Sequence, residues 1–416
     1  MSIFIELHAL RSFPPSNLNR DDLGTPKTAV FGGARRLRIS SQCLKRTWRM
    51  SEHFRGAFAE EQLAIRTDRL PKLVLDELGA GFNEPAREGL LALLASIGKK
   101  DAKKKASDDE EEEQDDAETT DDATAAADHT AHLLFLSRQE IEEVAAFARA
   151  NADALAKVFT KKKPNNEAIK KLRTELREHL QEHTSNNAIC VGLFGRFVTS
   201  DEIDTIEGAL QVAHGLGTQK IEVEYDYFTA VDDLADEPGA GHLGESEFGS
   251  SVFYLYSCCD LAQLERNLGA RTAEGRVADD EARKLARKSL PALVRAVAEA
   301  TPKGKKTGTA PHTPAEYVEV VVRRGAPLSF ANAFTKPVDA REEGGDVMAS
   351  SIARLVKHRD RIEEAYGRDK DVVARFVMCL SDVSGAIPEG CKVTTIDELA
   401  RKLATTLDAT PPQAVS

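Results

Sequence analysis

Gln42, Lys45, Arg46 and Arg49 recur at i, i+3, i+4 and i+7, a spacing that gathers three cations and an amide on one side of a helix. Such a face suits polyanions. A guanidinium forks onto two phosphate oxygens, an ammonium neutralises one, and an amide donates without charge. The enclosing stretch RRLRISSQCLKRTWR, residues 35–49, holds six Arg or Lys and no acid, and Arg35, Arg36 and Arg38 extend the positive surface upstream. Arg20 and Lys27 in the preceding loop are placed to join it. Ser40 or Ser41 supplies an N-cap, and the helix start supplies backbone N–H groups that seat a phosphate. A helix drawn from Ser40 to about Phe58 puts the cations towards its N-terminus, where they oppose the macrodipole. An anionic ligand relieves that cost. A solvated helix face explains the spacing, but not so much charge without acidic partners.

Other residues raise enzymatic alternatives. His179, Glu182 and His183 in HLQEH fit H-x-x-E-H, a zinc-hydrolase pattern with two imidazoles on one helix face and a glutamate as general base. The segment closes a highly charged helix and no third ligand stands out downstream, so no metal is expected there. His8 and His214 are candidate general bases for an RNA-processing endoribonuclease, but no nucleophile or acid accompanies either at recognisable spacing. Asp232 and Asp233 suggest a metal pair, although hairpin hydrogen bonding explains their strand-end position better. FGGARR lacks the G-x-G-x-x-G of a dinucleotide loop. Six scattered cysteines form no C-x-x-C, which argues against both a zinc site and a disulfide framework. No catalytic residue, cofactor or metal is expected.

The net charge of −12 misleads about this surface. Residues 108–128 carry twelve Asp or Glu and no Lys or Arg; of the 68 acidic residues 56 remain elsewhere, equal to the 56 basic ones. Such a tract buries too little apolar surface to offset its ordering entropy, so 99–130 is read as a flexible insertion. The first residues lack a basic n-region and cleavage site, no run approaches a membrane span, and a reducing cytoplasm is expected.

The elements that must position these groups follow from periodicity. Ile3, Ile5 and Leu7 alternate with Phe4, Glu6 and His8, a strand. A polar loop, 14–28, precedes the cationic helix. Further helices are predicted over 71–81, 86–97, 138–158, 166–183, 260–268, 279–300, 348–366 and 395–406. Apolar or β-rich runs at 187–198, 208–217, 222–231, 249–258 and 316–322 read as strands. The pattern is α+β: a small, mostly antiparallel sheet with helices on one face and long insertions. A second flexible loop is expected at 301–314.

The motifs LNRDD, FGGARRLRISSQCLKR, DYFTAVDDL, HLGESEFGSSVFY, DLAQLERNL and PLSFANAF occur in this order over residues 1 to about 340. In them the chain resembles the CasC family, the backbone subunit of the type I-E CRISPR surveillance complex Cascade. The acidic insertion departs from that pattern. The resemblance implies one domain over 1–416 with an RRM-like (ferredoxin-like) palm from 1–60, 186–220 and 248–340. It adds helical fingers at 61–185, a β-hairpin thumb at 199–247 and a helical C-terminal part at 341–416. Family members polymerise head to tail along a CRISPR guide RNA without cutting it, grip its backbone and flip out bases with the thumb. The rest of the guide then pairs with target DNA, alongside other Cascade subunits and a recruited helicase-nuclease. Carried over, RNA contacts fall on Asn19, Arg20, Lys27, Arg38, Ser40, Gln42, Lys45, Arg46 and Arg49, with Arg196 and Phe197 in GRFVTS. Arg49 stands where the family has lysine, and Phe197 where it has methionine. Tyr227, Phe228 and Thr229 match the thumb wedge, a role that aromatic stacking on bases supports. Lys161, Lys162, Lys163, Lys170, Lys171 and Arg173, with Arg177 on the same helix, match a lysine-rich stretch that steers target DNA.

Overall fold

The computed structural model describes residues 2–97, 129–130, 132–160, 163–184, 188–198, 202–231, 240–272, 275–339, 341, 345–381 and 387–411. They fall into two compact units: Met1–Phe58, Ala209–Leu264 and Lys284–Ser416 form the first, Ala59–Gly208 and Glu265–Arg283 the second. Most of the acidic insertion, with Lys161, Lys162, Asp232 and Asp233, lies outside the described residues.

The first unit is built on a mostly antiparallel sheet that is larger than the sequence suggested, with ten strands among the described residues. Its centre pairs Ile3–Ser16 with Ala240–Asp260, in register from Phe4 opposite Asp260 to Phe13 opposite Ser251. Tyr317–Arg324 and then Val372–Cys379 add on one side. Gly215–Gly217, Ala34–Ile39 and Thr28–Phe31 follow on the other. Lys392–Val393 pairs parallel at the far edge. The stretch 341–416, expected to be helical, therefore supplies two strands besides its helices Val347–Tyr366 and Ile396–Ala409. Val372–Cys379 alternates too weakly to be read from its pattern, being half-buried along most of its length.

The first strand alternates as expected, yet both faces are covered. Ile5 and Leu7 are buried, and so are Glu6 and His8. Burying carboxylates is costly unless they are paired, and the neighbouring elements supply the partners. Arg323 sits 3.0 Å from Glu6 and 2.6 Å from Glu363, while Arg359 and Arg375 approach Glu319 at 3.2 and 2.8 Å. Burial would raise the Glu319 pKa, but Arg359 and Arg375 hold it below the usual carboxylate value. The segment 301–314, expected to be a flexible loop, holds the short helix Lys306–Thr309. Arg11 fastens its ends through the carbonyls of Ala300 and Thr313.

The second unit is mainly helical. Leu70–Leu78, Glu84–Leu94, Arg138–Ala150 and Asn166–His183 pack apolar stripes into one core containing Leu90, Leu93, Val144, Phe147, Leu172, Leu176 and Leu180. Ser137 caps the third of these with a capping box closed by Glu140. The run at 187–198, expected to be a strand, is the buried helix Ile189–Phe194, ended by Gly195 at φ +80. A short, continuously apolar run has no periodicity to separate strand from buried helix. No helix among the described residues is long and apolar enough to cross a membrane.

Candidate nucleic-acid interface

The cationic stretch folds as a hairpin followed by a helix. Thr28–Phe31 and Ala34–Ile39 are joined by Gly32 and Gly33, at φ +58 and +76. Positive φ at both central residues is what a tight two-residue hairpin requires. A Cβ on Gly32 would also stand 1.6 Å from the Thr335 carbonyl oxygen, so only glycine fits. The strand leads into helix Ser41–Arg49, capped by Ser40, whose Oγ accepts from the Cys43 N–H at 3.2 Å. Nine residues are too few for an isolated helix. Buried Leu44 and Trp48 anchor it, each contributing about 2 kcal/mol or more.

This geometry revises two expectations. The helix stops at Met50, because the Ser51 hydroxyl starts a separate short helix, Glu52–Arg55, by accepting from Phe54 N–H. Arg46 and Arg49 therefore occupy the last turn, where they complement the macrodipole instead of opposing it. The helix start is also no open phosphate seat. Ser41 N–H donates to His214 Nδ1 at 3.1 Å, Ser40 N–H to Asn19 Oδ1 at 2.8 Å, and Ser40 itself is buried. Asn19 and Ser40, expected as RNA contacts, build the helix start.

What faces solvent is the side of the helix. Gln42 and Arg46 are exposed and Lys45 and Arg49 half-buried. Partial burial pushes the Lys45 pKa down, because desolvation disfavours the charged ammonium. Arg38 lies beside the helix start, 3.5 Å from His214, and exposed Arg20 belongs to the loop before the hairpin. The backbone of half-buried Lys27 ties that loop to the strand, donating to Asn19 O and accepting from Arg38 N–H. Arg36 does not join this surface. It is fully buried and donates to the carbonyls of Gly217, Thr218 and Phe334 at 3.1, 2.7 and 2.9 Å.

A second exposed feature is the hairpin of Glu224–Val231 with the start of Ala240–Asp260. Tyr227 is 72% and Phe228 47% exposed, far more than core aromatics would be. The Phe228 ring lies over Gly244 directly opposite, where a Cβ would come within 2.2 Å of it. Thr229 pairs with Leu243 through its backbone, and its side chain lies outside the described residues. Tyr225, which the motif comparison omitted, is 59% exposed and shares a strand face with Tyr227. Its period-two spacing from Tyr227 was the available signal. Asn17 was also missed: buried, it donates to the carbonyls of Gly24 and Glu247, tying the basic loop to the hairpin strand.

In the second unit, Phe197 is exposed but Arg196 is not. The Arg196 guanidinium, expected as an RNA contact, reaches Glu140 at 2.7 Å and the Phe135 and Asp204 carbonyls at 3.0 and 2.9 Å. On helix Asn166–His183, Arg173 is paired with largely buried Glu202 and Lys171 with Glu175. Lys170, Lys171 and Arg177 are the exposed cations among the described residues of the expected DNA face, and the Lys163 side chain lies outside the described residues. His8, a candidate general base, is buried with Nδ1 2.8 Å from the Tyr254 hydroxyl and its ring stacked on Phe330.

The fold is thus mixed α+β on a large, mostly antiparallel sheet, with an exposed cationic helix beside its edge hairpin. The chain belongs to the CT1975-like protein family, whose pattern matches residues 5–402. Among solved structures it is similar to a chain of a "CRISPR RNA-guided surveillance complex, pre-nicking", with TM-score 0.73 and 27% identity over 97% of this chain and 100% of that one. A chain of another "CRISPR RNA-guided surveillance complex" has the same fold, with TM-score 0.66 and 24% identity over 97% and 99%. Comparison with curated proteins gives no match.

Proposed function

We propose that this chain is the guide-RNA-binding backbone subunit of a type I-E Cascade, with an RRM-like core within its sheet. The observation that carries this reading is the Gln42–Lys45–Arg46–Arg49 face, exposed at Gln42 and Arg46 and half-buried at Lys45 and Arg49, on a chain that matches the full length of a chain in an RNA-guided surveillance complex. Cations on a rigid helix bind phosphates without reading bases, which is what a scaffold for any guide needs. Copies of the chain line up head to tail along the guide in the cytoplasm. The aromatics at Tyr225, Tyr227 and Phe228 wedge against bases and leave the others to pair with target DNA. Other Cascade subunits and a helicase-nuclease complete the defence, and the chain itself breaks no bond.

The test is to purify the chain and measure its absorbance ratio and the RNase sensitivity of whatever copurifies. Lys45→Glu with Arg49→Glu is expected to abolish copurifying RNA while leaving the fold intact. Retained RNA would remove the helix from the interface. Labelled pre-CRISPR RNA with divalent metal is expected to stay intact, and cleavage by the chain without partner subunits would overturn the non-catalytic reading.

A further inference from the structure

Glu143, His179 and His183 each offer one ligand atom, and the three atoms lie within 4.8 Å of one another. They come from two helices, Arg138–Ala150 and Asn166–His183, that pack together in the second unit. His179 and His183 are one turn apart and their rings stack with centroids 4.2 Å apart. His179 Nε2 meets Glu143 Oε2 at 3.0 Å. Glu182, the glutamate of the H-x-x-E-H pattern, is exposed; the carboxylate that faces the imidazoles comes from the other helix.

We propose that these three side chains form a divalent transition-metal site that staples the two helices together, with zinc as its preferred ion. Two imidazoles and a carboxylate are a zinc ligand set that leaves the fourth position to water. Nitrogen ligands also select zinc, cobalt or nickel over magnesium and calcium. A hydrogen bond of the kind metal-bound histidines make is already present. His183 Nδ1 lies 2.9 Å from the His179 carbonyl oxygen, so Nδ1 carries the proton and Nε2 keeps its lone pair for the ion. A shared proton explains the Glu143–His179 contact alone; it gives no role to His183, whose second imidazole completes the set. The site is half-exposed, so an ion has an entry path. No step of the proposed RNA binding depends on it.

The experiment uses the full chain, dialysed against chelator and titrated with zinc chloride, then separately with cobalt chloride. One zinc per chain is expected, with a rise in Tm, and cobalt is expected to develop the visible absorption of a tetrahedral nitrogen–oxygen site. His183→Ala, at an exposed position, should abolish the tetrahedral cobalt spectrum. Glu143→Gln should weaken zinc binding about tenfold or more, with far-UV circular dichroism confirming that both variants are folded. Unchanged zinc stoichiometry and affinity in a His179→Ala/His183→Ala variant would place the metal elsewhere on the chain and overturn the proposal. So would an absence of binding at zinc concentrations that saturate ordinary His₂Glu sites.

Discussion

The backbone N–H of Ser41 donates to Nδ1 of His214 at 3.1 Å, so a residue 173 positions downstream fixes the start of the cationic helix. The bond replaces one that the first turn of a helix cannot make for itself. His214→Ala is expected to destabilise the protein by about 1 kcal/mol, the usual cost of losing a cap. His214→Asn, which keeps an acceptor there, should recover part of it. Thermal melts of the three proteins check this, and an unchanged Tm in the alanine variant would remove the contact from the stability of the helix start.

Arg36 and Arg38 sit two residues apart on one strand but do different work. Arg36→Leu removes a guanidinium donor from four carbonyls, of which Thr218 keeps the Val338 N–H, a loss expected to cost about 3 kcal/mol or more. Arg38→Glu is expected to leave the Tm nearly unchanged and to lower RNA affinity and the salt dependence of binding. Urea melts and filter binding at several salt concentrations separate the two effects. The reverse pattern would exchange their roles.

Lys45 is expected to give the proposed RNA binding a pH dependence. Partial burial holds its folded pKa below the ordinary 10.5, so as pH rises the free protein loses this charge before an exposed lysine would. RNA favours the charged form, so affinity is expected to fall as pH rises towards 10.5. Lys45→Arg, always charged, should flatten that fall. Binding of a short phosphorothioate or DNA oligonucleotide across this range measures it, and equal slopes would take Lys45 out of phosphate contact.

Tyr225 and Tyr227 share one face of the hairpin, where the proposed wedge would stack on bases. Replacing both with Ala is expected to change the pattern of base exposure along bound RNA while leaving most affinity in place. Stacking contributes about 1–3 kcal/mol per base, whereas phosphate contacts dominate the total. Chemical probing of bound RNA reads the pattern. Replacing both with Phe should preserve it, and an unaltered pattern in the alanine variant would reject the wedge.

The motifs that made the chain recognisable are largely about its frame. In PLSFANAF, buried Phe330 and Phe334 pack beneath His8 and Tyr254, and the Phe330 N–H donates to the Tyr254 hydroxyl. HLGESEFGSSVFY carries Tyr254 into the core. Resemblance in such motifs therefore transfers the fold more securely than the contacts. Asn19, Ser40 and Arg196, expected as RNA contacts by motif, each also bond within the chain. Polar residue types alone cannot tell these uses apart, since a buried arginine and a phosphate-binding one share the same side chain. The helix end at Met50 was missed because the Ser51 cap falls within an otherwise helical pattern. The Gln42–Arg49 face was legible because its spacing and the lack of acids were already in the sequence.

Ala240–Asp260 is one uninterrupted strand of 21 residues. At one end it carries the hairpin partner of Tyr225 and Tyr227; at the other it is the central plank of the sheet, bonded on both edges. It therefore acts as a lever whose fulcrum is the core. A load on the hairpin is passed along this one strand to the sheet at its other end. An arm built in this way takes its support from a sheet and not from a loop.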